Sequence, residues 1–270
     1  MGGIWRVIVD GNLSGYYNMA CDEALFNLYP QQRVPTLRIY GWSKPSVSLG
    51  YFQKAEEVLN LREIEEENIP VVRRLTGGGA ILHQEEITYS LILSREDLSL
   101  PFSVKQSYYI LTSFIIEFYR SMGLKPFFAY QVSLPTKKFD NFCFSSWEYF
   151  DIVIKGKKIG GNAQKRKKEL IFQQGSIPLR INFSLIKKLF KNIPQDIQEK
   201  TQGLNYFFRY LNIFELREKL ISSFKNTFRI TLYPDKLSTQ EKEEVESLLN
   251  LKYTCESWNF NRNEKTSLVK

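Results

Sequence analysis

Residues 73–83 read RRLTGGGAILH. Two arginines stand ahead of three consecutive glycines, and a short apolar run then ends at His83, the only histidine in the chain. Gly77, Gly78 and Gly79 allow backbone angles closed to other residues and let a ligand approach the main chain. Successive N–H groups on such a loop make a nest for an oxyanion, a carbonyl or a phosphate. Arg73 and Arg74 alternate along an extended segment and so point to opposite faces; at most one of them easily faces the loop. Neither the P-loop pattern nor Gly-x-Gly-x-x-Gly is present. A tight strand-to-strand turn with solvated arginines accounts for the same residues. His83 also fits a structural role, and the sequence identifies no aspartate partner for it.

A second dense stretch, CFSSWEYFDIVIKGKKIGGNAQKR, spans 143–166. A cysteine is a nucleophile only as thiolate, and its free pKa is about 8.5. Positive charge at Lys158, and at Arg73 if it faces the same site, would lower that value for Cys143. Gly160, Gly161, Asn162 and Ala163 follow Lys158 as a second glycine-containing turn with main-chain donors. Cys21, on a helix between Ala20 and Asp22, reads as packing, and Cys255 has no flanking glycines or matched charge. The run Lys155, Lys157, Lys158, Lys165, Arg166, Lys167, Lys168 is basic enough for a nucleic-acid face. Such faces interleave exposed aromatics with charge, whereas the aromatics here fall at strand-periodic, inward positions. A solvated hairpin explains most of these lysines, and no nucleic-acid partner is expected.

The elements that must position these residues are α and β mixed. Strands are expected at 4–11, in TLRIYGW and SVSLGYF, in PVVRRL, in AILH and ITYSLILS as a hairpin or adjacent strands, and in ELIFQQGSIPLRI. A hairpin is expected over 149–164, turning at Lys155–Gly156–Lys157. Helices are expected over 14–29, ended by Pro30 and Pro35, over 56–68, and over 103–123, ended by Gly123. From about residue 182 the pattern is mostly helical. Hairpins rather than βαβ repeats point to α+β, with mixed or antiparallel sheets flanked by helices. One domain over 1–250, helical from 182, and a tail over 251–270 follow.

The chain has 270 residues, of which 43% are hydrophobic, enough for a sizeable core. No apolar run approaches the roughly 18 residues of a membrane span, and Met1–Asp10 lacks a signal pattern. No membrane partner, a cytoplasmic location and a monomer are expected. Three widely spaced cysteines argue against a disulfide framework, and one histidine without clustered ligands argues against a metal site. The net charge of +8 favours acidic partners, nucleic acid and acidic carrier proteins among them, or serves solubility alone.

Taken in order, RRLTGGGAILHQEEITYSLIL and KKIGGNAQKR…FQQGSIPL resemble the biotin/lipoate protein ligase and octanoyltransferase family. NMACDEAL resembles its first helix and KYTCESWNF its closing segment, so the likeness covers nearly the whole chain. It implies a biotin/lipoate ligase-like catalytic domain. Within the family, lipoate ligases activate a free acid with ATP and magnesium and need no cysteine. Octanoyltransferases take the acyl group from acyl carrier protein onto a cysteine and pass it to a lysine of a lipoyl domain or glycine-cleavage H protein. A related amidotransferase moves octanoyl or lipoyl between lipoyl domains by the same nucleophile. Cys143, in a Cys-Phe pair ahead of an aromatic segment, resembles the nucleophile of one cysteine-dependent type, which implies an octanoyltransferase that needs no cofactor. Lys158 matches the family lysine that contacts the acyl carbonyl. Gly77–Gly79 match the loop beside the acyl head group, Arg73 its preceding arginine and His83 the histidine that closes the motif. Two positions depart: Gln174 stands where the family often has histidine, and Gly79, frequently arginine in cysteine-dependent transferases, matches the ligases.

Overall fold

The structure, a computed structural model, describes residues 3–132 and 148–263. Strand β1 (Ile4–Leu13) leads into helix α1 (Gly15–Gln32), then β2 (Thr36–Trp42) and β3 (Ser46–Leu49). Two short helices, α2 (Ala55–Val58) and α3 (Leu61–Glu66), precede β4 (Val71–Arg73), β5 (Ile81–His83) and β6 (Glu86–Ser94). The long helix α4 (Val104–Ser121) is followed by β7 (Phe127–Phe128), β8 (Ile152–Ile154), β9 (Lys157–Lys158), β10 (Gly161–Lys167) and β11 (Leu170–Pro178). The remainder is α5 (Phe183–Leu189), α6 (Ile197–Lys200), α7 (Ile213–Phe228), β12 (Thr231–Pro234), α8 (Thr239–Leu248) and α9 (Glu256–Asn259).

A mixed sheet in the order β10–β11–β6–β2–β1–β12 forms the centre. Pairing is antiparallel from β10 to β2 and parallel across β2–β1 and β1–β12. The fold is therefore α+β with mixed sheets, as expected, and β1–α1–β2 is a parallel crossover through a helix between neighbouring strands near the N-terminus. Both faces of the sheet are covered. Val7, Leu91, Leu93 and Ile171 face a cluster built from α4 and α7, around Phe114, Phe118, Leu220 and Phe224. Their neighbours Ile8, Ile92 and Phe172 face the other way, against Leu25, Phe26 and Tyr29 of α1. Double burial explains why β6 and β11 read as continuous runs rather than alternating ones.

A small sheet, β4–β3–β5, lies under α2, α3 and α5. Thus β5 and β6, expected as a hairpin or neighbours, lie in different sheets. β5 pairs with β3, and β6 runs between β2 and β11. The chain passes between these sheets twice, at 42–46 and at 83–86. The turn at Lys155–Gly156 closes a β8–β9 hairpin in a third sheet with β7, but the hairpin expected over 149–164 stops at Lys158, because residues from Gly161 on belong to β10 and pair with β11 in the central sheet.

Two further differences concern helix ends. Ser14 caps α1 by accepting from the Tyr17 N–H at 3.2 Å, and α1 then runs through Pro30 to Gln32. Pro30 removes a single amide donor in the last turn, which the helix tolerates. Residues 251–263 are not a tail: Tyr253 and Trp258 are buried, the Tyr253 hydroxyl donates to Glu23 at 2.6 Å, and Lys252 pairs with the same carboxylate at 2.9 Å.

Candidate active site

A cavity of about 510 Å³ opens where the β10–β11–β6 end of the central sheet meets the glycine loop and the third sheet. Gly77, Gly78, Gly79, His83, Lys158, Gly161, Asn162 and Ala163 all line it. Arg73 and Gly160 do not, and Cys143 lies outside the described residues.

Arg74, rather than Arg73, faces the cavity. It is buried, and its Nη2 donates to the Gly77 carbonyl at 2.7 Å and to the Gly79 carbonyl at 2.8 Å. Its Nη1 donates to the Ser48 carbonyl at 3.0 Å. One guanidinium thus turns two loop carbonyls inward. Gly78, at φ +89°, supplies the left-handed residue this turn needs. Among the described residues, the N–H groups of Gly77, Gly78 and Gly79 donate to no carbonyl, so the loop keeps donors for a ligand.

Arg73 is turned the opposite way, because consecutive strand residues face opposite sides. Its guanidinium is fully buried and donates to six carbonyls: Gly50, Tyr51 and Gln53 on one side, Trp258, Asn259 and Phe260 on the other. Burial, and then the charge of Arg262, lower its pKa to about 10, so it stays charged at neutral pH. It ties the closing segment to the chain after β3, which corrects its expected place beside the acyl group.

His83 sits where the chain changes sheets. Its ring stacks on Trp42 at 3.8 Å. Nδ1 lies 2.9 Å from Glu86 Oε1 and Nε2 lies 2.7 Å from Ser48 Oγ. A carboxylate only accepts, so the network assigns the proton to Nδ1 and lets the Ser48 hydroxyl donate to Nε2. Ser48 Oγ in turn accepts from Arg74 at 3.2 Å. On the far side Thr88 donates to Glu86 and accepts from the Trp42 indole at 2.8 Å. Arg74, Ser48, His83, Glu86, Thr88 and Trp42 therefore form one buried chain of hydrogen bonds beneath the glycine loop. Glu86 is not among the residues expected from the sequence; its one signal there is the i+3 spacing from His83 across a two-residue turn.

Lys158 is buried on the opposite wall and pairs with Asp151 at 2.7 Å. The turn after it is held from below. The Tyr119 hydroxyl donates to the Ile159 carbonyl at 2.6 Å, and those of Tyr108 and Tyr89 donate to the Asn162 carbonyl at 2.8 Å and Oδ1 at 2.6 Å. Gly160 shapes this turn without touching the cavity. At φ +136°, a Cβ there would lie 2.4 Å from the Ser176 carbonyl. Gly160→Ala is expected to cost about 2 kcal/mol through left-handed strain and that clash, measured as a lower urea midpoint with unchanged slope.

Of the other cysteines, Cys21 is fully buried, and burial raises its thiol to about 11. At pH 8 about one Cys21 in a thousand would be thiolate, so iodoacetamide is expected to leave it unlabelled in native protein and to reach it on unfolding. Mass mapping of native-state label onto Cys21 would contradict this. Among the described residues, no group of three or more His, Cys, Asp and Glu is placed to hold a metal. No helix there is long and apolar enough to cross a membrane.

A glycine nest backed by an arginine, facing an ion-paired lysine across a cavity of ligand size, is an arrangement able to hold a carbonyl-bearing group. The family profile described as the lipoyl protein ligase A/B catalytic domain matches residues 14–225. The octanoyltransferase LipM of Halalkalibacterium halodurans is 35% identical over 96% of this chain and 99% of its own. That of Geobacillus kaustophilus is 34% identical with the same coverage of both. Among solved structures, lipoate-protein ligase A bound with ATP superposes with a TM-score of 0.80 at 26% identity, covering 96% of this chain and 99% of that one. The chain belongs to the lipoyl protein ligase A/B catalytic domain family. It is an acyltransferase with the biotin/lipoate ligase-like fold.

Proposed function

We propose that this acyltransferase moves an octanoyl group from octanoyl-acyl carrier protein, through a thioester on Cys143, to a lysine of a lipoyl domain or glycine-cleavage H protein in lipoate biosynthesis. The observation that carries the reading is the cavity. It sets the glycine nest opposite Lys158, and its wall at Glu148 lies five residues along the chain from Cys143. Near full-length likeness to octanoyltransferases supports the acyl group.

In the first step the Cys143 thiolate attacks the thioester carbonyl of the donor. The new carbon–sulfur bond forms, the donor's breaks, and the carrier thiol leaves with the proton Cys143 has given up. In the second step the acceptor lysine, as neutral amine, attacks the acyl-enzyme. The amide forms, Cys143 leaves as thiolate, and the proton released by the amine returns to that sulfur, restoring the thiol for the next cycle. The donor thioester is already activated, so neither ATP nor a metal is consumed. Covalent catalysis divides one encounter between two carrier proteins into two separate ones. Loop N–H groups stabilise the oxyanion of each tetrahedral intermediate, and Lys158, fixed by Asp151, adds a positive charge. The basic surface speeds the approach of acidic carriers in a salt-dependent way.

The test is the intact mass of the protein after incubation with octanoyl-acyl carrier protein in the absence of ATP. A single hydroxylamine-labile octanoyl adduct is expected. A second reading, the ATP-dependent lipoate ligase, is favoured by Gly79. It predicts no adduct, and lipoylation of a lipoyl domain only with lipoate and ATP.

A further inference from the structure

Two polar atoms on the cavity floor, Gln174 Oε1 and Ser176 Oγ, make no hydrogen bond with any described residue. Their residues are 8% and 3% exposed, and both line the cavity. They stand two apart on β11, so they point to the same side of the sheet. A buried polar group left unpaired costs about 1–3 kcal/mol, and folded proteins keep few of them. The alkyl part of an octanoyl group has no donor or acceptor to offer. Laid directly on this floor, it would seal both atoms from water at that cost.

Strand register places the pair on the cavity floor beside the start of β10. Ser176 opposes Gly161 on one side and Thr88 on the other, and Gln174 opposes Ala163. Going from Lys158 along β10, the floor presents Ser176 first and Gln174 about 7 Å further on. An acyl group with its carbonyl at Lys158 and its tail directed along β10 would meet this pair.

Resting on the transfer reading above, we infer that Gln174 and Ser176 hold a water molecule that ends the acyl slot, and so select the length of the chain. A buried water needs two to four polar partners. Gln174 Oε1 and Ser176 Oγ are two. The Thr88 hydroxyl, which accepts from Trp42 and donates to Glu86, keeps a lone pair for a third. A water occupies about 30 Å³, comparable to a methylene group. Longer chains must expel it and bury its partners unpaired.

The experiment offers an equimolar mixture of hexanoyl-, octanoyl-, decanoyl- and dodecanoyl-acyl carrier protein to the enzyme and reads the adducts by intact mass. Gln174→Leu combined with Ser176→Ala is expected to raise the decanoyl-to-octanoyl ratio about tenfold, since a methylene in an apolar pocket is worth about that much or more. Ser176→Ala alone, the smaller change, moves the ratio the same way and covers a double variant that fails to fold. Gln174→His keeps a polar anchor and keeps the wild-type ratio. An unchanged ratio in both apolar variants with octanoyl loading intact, or equal loss of every chain length, overturns the inference and leaves the transfer reading standing. A wild type that loads no chain overturns both.

Discussion

Cys143→Ala is expected to lower octanoyl transfer by a factor on the order of 10⁴ or more, because loss of a covalent nucleophile removes the pathway rather than slowing it. The variant should still fold and bind both carriers, since the change deletes one sulfur atom. Intact mass after exposure to octanoyl-acyl carrier protein should show no adduct, where one is expected on the wild type. Neither remaining cysteine is suited to stand in. Cys21 is enclosed in α1 with its thiol raised to about 11. Cys255 is half-buried beside the Asn250 carbonyl, at 3.7 Å, and does not line the cavity. A serine in place of Cys143 is a sharper probe. It would accept the acyl group slowly as an ester, which resists the lysine amine far better than a thioester does, so adduct would accumulate without turnover. A Cys143→Ala protein that modifies lipoyl domains at the wild-type rate without ATP would remove the thioester from the mechanism.

Much of this site is legible in residue types at short spacing. The three glycines, His83, Lys158 and the first residues of β10, Gly161 to Ala163, are local signals, and they line one cavity. What the sequence hides is the partner of each charge. Asp151 meets Lys158 because β8 and β9 fold on each other. Ser48 meets His83 because β3 and β5 pair. The choice between Arg73 and Arg74 is hidden for the same reason. Alternation dictates that they diverge, but which one reaches the glycine loop depends on what lies beyond each face of β4. The path of 251–263 is also set at long range, by carbonyls that Arg73 gathers from the opposite end of the chain. Hairpin signals were correct where the turn was local, at Lys155–Gly156, and misleading at 83–86, where the chain turns into another sheet.

The adjacent arginines should therefore fail in different ways. Arg73→Met is expected to destabilise the protein by more than about 4 kcal/mol, since each buried carbonyl left unpaired costs about 1–3 kcal/mol. Six carbonyls lose the guanidinium, and only those of Gly50 and Trp258 keep a main-chain donor among the described residues, the amides of Gln53 and Arg262. Against a total stability of about 5–15 kcal/mol, this should appear as a large fall in the thermal midpoint and as proteolysis near Trp258. Among the described residues Arg74→Met takes a donor from three carbonyls, and two of these belong to the partly exposed loop residues Gly77 and Gly79. With no guanidinium to turn those carbonyls inward, the loop N–H groups lose their common direction. Removing one oxyanion donor typically costs about 10²–10³ in kcat, and the same range is expected here, with the folded fraction at assay temperature near that of wild type. Equal losses of stability in the two variants, with equal residual activity per folded molecule, would mean that Arg74 serves the core alone.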